Sequence, residues 1–148
     1  MSEIEESGLV NLDGLREAME DLVPFNRLLG FKAEELSRGF VRARCPFKPE
    51  LIGDARRPAL HGGVLATFAD ATCGAAVFTK LRKGDTCATV DLRIDYLRPG
   101  LEQDTICEAE VLRVGNQVAV TSARLFQDSG ADIAVCKAVF MVKRARES

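Results

Sequence analysis

The feature that most constrains this chain is a change of hydrophobic period about halfway along it. Over residues 62–81 the apolar positions Val64, Leu65, Phe68, Ala69, Ala71, Val77, Phe78 and Leu81 spread round nearly the whole circumference of a helix. A helix apolar on most sides is buried on most sides. Lys80, Arg82, Lys83 and Gly84 follow, cations and a glycine where a helix end favours them. From Ala88 the period becomes two: Ala88, Val90, Leu92, Ile94 and Tyr96 alternate with Thr89, Asp91, Arg93 and Asp95, which predicts a strand with one wet face. Residues 105–114, 118–127 and 132–142 repeat the alternation, joined by Gly115-Asn116 and Asp128-Ser129-Gly130, both suited to tight turns.

Upstream of the helix the elements are shorter. Residues 11–22 carry Leu12, Leu15, Met19 and Leu22 at helical spacing, and Pro24 ends that helix. Residues 25–30 predict a second helical turn closed by Gly30. Residues 32–37 and 40–46 predict two strands around Arg38-Gly39, and residues 47–60, with Pro49, Gly53, Asp54 and Pro58, predict a loop. A long buried helix with two strands before it and a run of antiparallel strands after it means α+β, an antiparallel curved sheet wrapped around a central helix. No repeat or linker divides the 148 residues, so one domain is expected, with residues 1–8 flexible.

Composition removes several function classes. The chain is 47% apolar and 28% charged, the balance of a globular domain. Its net charge of -2 argues against nucleic acid as the main partner. An acidic start without an apolar run, and no apolar stretch long enough for a membrane span, predict a cytoplasmic protein without a membrane partner. Cys45, Cys73, Cys87, Cys107 and Cys136 form no C-x-x-C pair and read as reduced core residues. With His61 the single histidine, no metal site is expected.

Asp70 stands out before any comparison of families. Its neighbours one helical turn away are Ala66, Thr67, Cys73 and Gly74, so no cation on its own helix can pair with it. A buried unpaired carboxylate is costly, and carboxylates perturbed in clefts are functional candidates. The structural alternative is a cap or an ion pair across an interface. His61-Gly62-Gly63, just before the helix, leaves backbone N–H groups open at the positive end of the helix dipole, suited to an oxyanion; the alternative is a plain flexible turn. Gly62 and Asp70 lie eight residues apart, roughly 12 Å along one helix. One chain cannot aim both at one carbonyl, whereas two antiparallel copies of the helix can, which makes a homodimer part of any such mechanism.

The stretch from Leu60 to Asp70, LHGGVLATFAD, followed by ATVDLRIDYLRP over residues 88–99, closely resembles the phenylacetate-pathway (PaaI-like) acyl-CoA thioesterases of the hotdog-fold superfamily. The resemblance implies a hotdog fold and acyl-CoA hydrolysis, without a cofactor beyond the CoA of the substrate, in a homodimer that pairs into a homotetramer. By position it implies Asp70 as general base or nucleophile, the Gly62 N–H as oxyanion donor, with Gly63 beside it, and Thr89 as the residue placing water or the acid. It gives His61 mainly a loop-shaping role. Many relatives carry an asparagine where this chain has Ala55, and losing that donor could cost about 100-fold in rate. Arg56, Arg57, Arg98 and Arg113 are candidates for CoA phosphates because guanidinium forks grip phosphate. Two competing functions are a non-catalytic acyl-CoA-binding module, kept open by Ala55, and a hydroxyacyl-CoA dehydratase, which asks for a His and acid pair.

Overall fold

The computed structural model describes residues 7–146. The acidic start expected to be flexible therefore lies mostly outside the described residues. Asn11 caps α1 (Leu12–Glu17) by accepting the Gly14 N–H at 2.8 Å. As expected, this helical run stops just before Pro24: it widens into a π turn (Ala18–Leu22) and ends at Val23, whose backbone is extended (φ -86°, ψ 110°). Pro24 itself opens α2 (Pro24–Leu29) at the first helical position, where its missing N–H costs nothing. Gly30, at φ 75°, closes α2.

β1 (Lys32–Ser37) and β2 (Phe40–Cys45) form the expected hairpin, with Gly39 at φ 87° in the turn. The expected loop contains more structure than its composition suggested. A 3-10 turn (Pro49–Leu51) leads into a small hairpin of β3 (Ile52–Asp54) and β4 (Ala59–Leu60), with Ile52 opposite Leu60. These strands are too short to reveal a period.

α3 (Gly62–Phe78) is followed by β5 (Thr86–Tyr96), β6 (Thr105–Val114), β7 (Val118–Phe126) and β8 (Asp132–Lys143). The six-stranded antiparallel sheet runs β1-β2-β6-β7-β8-β5. α3 packs against it through the buried Leu65, Phe68, Ala69, Thr72, Cys73, Ala76 and Val77, the helix-in-sheet arrangement of the hotdog fold. Phe31 and Phe68 meet with ring centroids 4.7 Å apart, and burying each ring stabilises the fold by roughly 2–3 kcal/mol.

α3 ends three residues before Leu81. The Thr79 hydroxyl donates to Ala76 O at 2.6 Å and accepts the Gly39 N–H at 2.8 Å, while Thr79 O accepts from Arg38. The hairpin turn thus takes the groups that would have carried the helix onward. Beyond the helix, Asp85 is buried; burial opposes its charge, but the Ala145 N–H, the Arg144 guanidinium and the Arg82 N–H together hold its carboxyl below the usual range.

Two further expectations are corrected. α3 is not covered all round: Thr67, Asp70, Ala71, Gly74 and Phe78 form a half-exposed stripe. Nor does β5 keep one alternation. Its register against β8 shifts between Thr89 and Asp91, so the inward positions are Cys87 and Thr89 before the bulge and Leu92 and Ile94 after it. Val90, expected inside, is 62% exposed.

Candidate active site

The bulge in β5 is what creates the site. Strict alternation places Thr89 on the wet face with Asp91 and Arg93. The extra residue turns it inward, opposite Phe140, and its hydroxyl donates to Asp70 Oδ1 at 2.8 Å. The partner missing from the helix of Asp70 is therefore a neutral hydroxyl from a neighbouring strand. The carboxylate is half-buried rather than buried, makes no ion pair within 4.0 Å among the described residues, and keeps Oδ2 open.

Asp70 and Thr89 stand in the wall of a mainly apolar cavity of about 720 Å³ between α1, α3 and the start of β5. That volume is within the usual range of small-molecule sites. Cys87 also lines it; burial first, then the charge of Asp70, pushes its thiol up to about 11, so the sulfur is protonated at neutral pH and is no nucleophile. Cys73, one turn past Asp70, is fully buried with Cys136 and Thr121 as its hydrogen-bonding neighbours.

The start of α3 is held as tightly. His61 is its N-cap: Nδ1 accepts the Gly63 N–H at 2.9 Å, and the His61 N–H donates to Leu51 O at 2.8 Å. The Gly63 N–H is thereby used. The Gly62 N–H, first in the helix, donates to no group among the described residues. Tyr96 donates its hydroxyl to Gly62 O at 2.7 Å, and a Cβ at Gly62 would lie 3.3 Å from the Tyr96 ring. Tyr96 is thus a site residue to which sequence reasoning gave only a strand position. No local pattern marked it; only its place within residues 88–99, the segment that carries the family resemblance, could have singled it out.

The chain does not bring its two candidate groups together. Gly62 and Asp70 sit on one helix, eight residues apart, roughly 12 Å along the axis. His61 stays with Gly62, far from Asp70, and the two do not form an acid and base pair. Ala55, Arg56 and Arg57 are exposed in the turn between β3 and β4, with the Arg56 N–H donating to Asp54 Oδ1 at 2.9 Å. Arg98 donates to Asp132 O, and its loop meets β4 where the Leu60 N–H donates to Gly100 O at 2.9 Å. Arg56 and Arg57 thus sit on the hairpin that leads into α3, whereas the Arg98 guanidinium is turned to the start of β8. Arg113 does not join them. It lies beside the β6–β7 turn with Gly115 and Asn116.

This geometry agrees with the similarity of the chain to known proteins. A family model described as Thioesterase superfamily matches residues 58–134, the span from just before α3 to β8. The chain belongs to the thioesterase superfamily. The medium/long-chain acyl-CoA thioesterase YigI of Escherichia coli K12 is 33% identical over 133 residues, covering 81% of this chain and 86% of that protein. Human acyl-coenzyme A thioesterase 13 is 33% identical over 109 residues, covering 73% and 76%. A solved Shewanella oneidensis protein related to the thioesterase superfamily superposes with a TM-score of 0.80 at 32% identity, over 97% of this chain and all of that one. The expected class, a thioesterase of hotdog fold, is thus that of its relatives. No helix among the described residues is long and apolar enough to cross a membrane.

Proposed function

We propose that this thioesterase hydrolyses acyl-CoA at a site assembled from two copies of the chain. The observation that carries the reading is the Thr89–Asp70 pair, 2.8 Å long, on the wall of an apolar cavity, combined with an unused Gly62 N–H that no single chain can bring to it. Thr89 fixes one carboxylate oxygen and leaves the other to take a proton from water. The hydroxide attacks the thioester carbonyl, and the negative charge that develops on its oxygen is held by the Gly62 N–H of the partner subunit. Collapse of the tetrahedral intermediate breaks the C–S bond. The acid and CoA thiol leave, with the proton returned from Asp70 to sulfur. This scheme needs neither metal nor further cofactor.

β5 supports the two-copy site. It is an edge strand of eleven residues, and no strand among the described residues pairs with its outer side; such an edge is a template for a second chain. Arg56 and Arg57, on the exposed hairpin that leads into the donor end of α3, are guanidinium groups suited to CoA phosphates at that end. The relatives named above as acyl-CoA thioesterases favour the same substrate class for this chain.

The test is release of CoA from an acyl-CoA panel, read with a thiol-trapping dye. Asp70→Asn is expected to lower kcat by about a thousand-fold while leaving acyl-CoA bound. Unchanged turnover by that variant removes Asp70 from the chemistry. Binding without release by the native chain would favour the acyl-CoA-binding module over an enzyme.

A further inference from the structure

The cavity beside Asp70 has a direction. Phe31 follows α2, packs on Phe68 and donates its N–H to Asn26 O, which places α2 near the Asp70 end. The opposite end is shut. There the Val10 N–H donates to Leu81 O at 2.9 Å, the Lys83 N–H donates to Gly8 O at 3.1 Å, and Leu9 bridges Arg82. Between the two ends the lining is apolar or small: Leu15 from α1, Ala18 and Met19 from the π turn, Ala71, Gly74 and Phe78 from α3. The cavity is a groove that runs along α3 from Asp70 to this backbone tie.

We propose that this compartment takes the alkyl chain of the substrate and that Gly74 sets its usable depth. The proposal rests on the acyl-CoA reading above and adds a length to it. Asp70 and Phe78 are eight residues apart on α3, about 12 Å of helix, and an extended alkyl chain advances roughly 1.25 Å per carbon, so about ten carbons reach from the carbonyl to the closed end. Gly74 lies midway. A Cβ there would stand 3.5 Å from Phe140 Cε1, an ordinary contact, so alanine fits, whereas a longer side chain must run on into the compartment that Gly74 and Phe140 both line. A glycine at this position costs helix stability relative to alanine, and an open path for the chain is what it provides in return.

The chain-length dependence is read by calorimetry on the Asp70→Asn protein, which holds acyl-CoA without turning it over, with butyryl-, hexanoyl-, octanoyl-, decanoyl- and tetradecanoyl-CoA. Kd is expected to tighten roughly tenfold for each two carbons up to decanoyl-CoA and then stop tightening. Adding Gly74→Leu should move that stop to hexanoyl-CoA or shorter, and Phe78→Ala, an independent variant that opens rather than fills the compartment, should move it beyond decanoyl-CoA. Affinity that rises unbroken to tetradecanoyl-CoA, or a stop that neither variant moves, overturns the proposal. If the stop is found but the native protein releases no CoA, the compartment stands and hydrolysis falls. If CoA is released with the same kcat/KM at every chain length and the affinities show no stop, hydrolysis stands and the compartment falls.

Discussion

β1 and β5 are the two edges of one sheet, and the chain treats them differently. At β1, six residues long and interrupted by a bulge after Ala33, the open backbone is answered from within: the Ala33 N–H donates to Glu20 Oε1 at 2.9 Å and Ala33 O accepts from Arg16. Helical segments before the strand cover what the sheet leaves unpaired. At β5 eleven residues run along the opposite edge with no such cover among the described residues, and Val90 stands 62% exposed. Edges that a domain can satisfy alone it tends to satisfy, because an open one invites pairing with another chain. The edge left open here is also the strand that carries Thr89 and closes at Tyr96, so the unsatisfied edge and the unfinished site belong to the same element.

The contrast can be broken from either side. Val90→Asp places a charge on the open edge, and sedimentation should then find monomer; kcat/KM should fall by about 100-fold or more, as when an oxyanion donor is lost. An active monomer would detach the site from the edge. Within β5, Thr89→Val removes a hydrogen bond to a carboxylate, which should lower kcat by about 10- to 100-fold. Thr89→Ser should restore most of it, and no recovery with serine would mean that the methyl group, not the hydroxyl, is what matters. The smallest effect is expected at the covered edge. Glu20→Ala leaves the Ala33 N–H unanswered and should cost about 1–2 kcal/mol, lowering Tm by about 2–6 °C, with oligomeric state and turnover unchanged. A Glu20→Ala protein as stable as the native chain would remove the covering role.

The long elements were legible because each repeats one period over many residues. The all-round apolar helix, the strands after it and the turns at Gly115-Asn116 and Asp128-Ser129-Gly130 needed no tertiary information. Failures fell where a distant part of the chain decides the local outcome. Thr79 ends α3 because the β1–β2 turn takes its hydroxyl and carbonyl. Asp70 was legible as a carboxylate without a helix partner. Its true partner was not derivable from periodicity, since the β5 bulge reverses the facing of Thr89, and only the family resemblance put Thr89 on the list. The tie from Tyr96 to Gly62 spans 34 residues and left no local trace.

The most direct measurement uses two variants that are each defective in one half of the site. Gly62→Pro deletes the oxyanion donor and suits the backbone of the first helical position, with the exposed Tyr96 ring yielding a few tenths of an ångström to the new Cβ, and His61, at φ -62° and ψ 131°, already has the backbone a residue before proline prefers. Asp70→Asn deletes the base. Each protein alone should be about 100-fold or more below native activity. Unfolded together and refolded as a mixture, they should form mixed dimers in which one of the two sites is whole, and activity should return to about a quarter of native for random pairing. The double variant mixed with native chain has no such complementary pairing and should give no gain over the native dimers it contains. Mixtures of the single variants that stay as inactive as their parents, although mixed dimers form, would contradict a site shared between two chains.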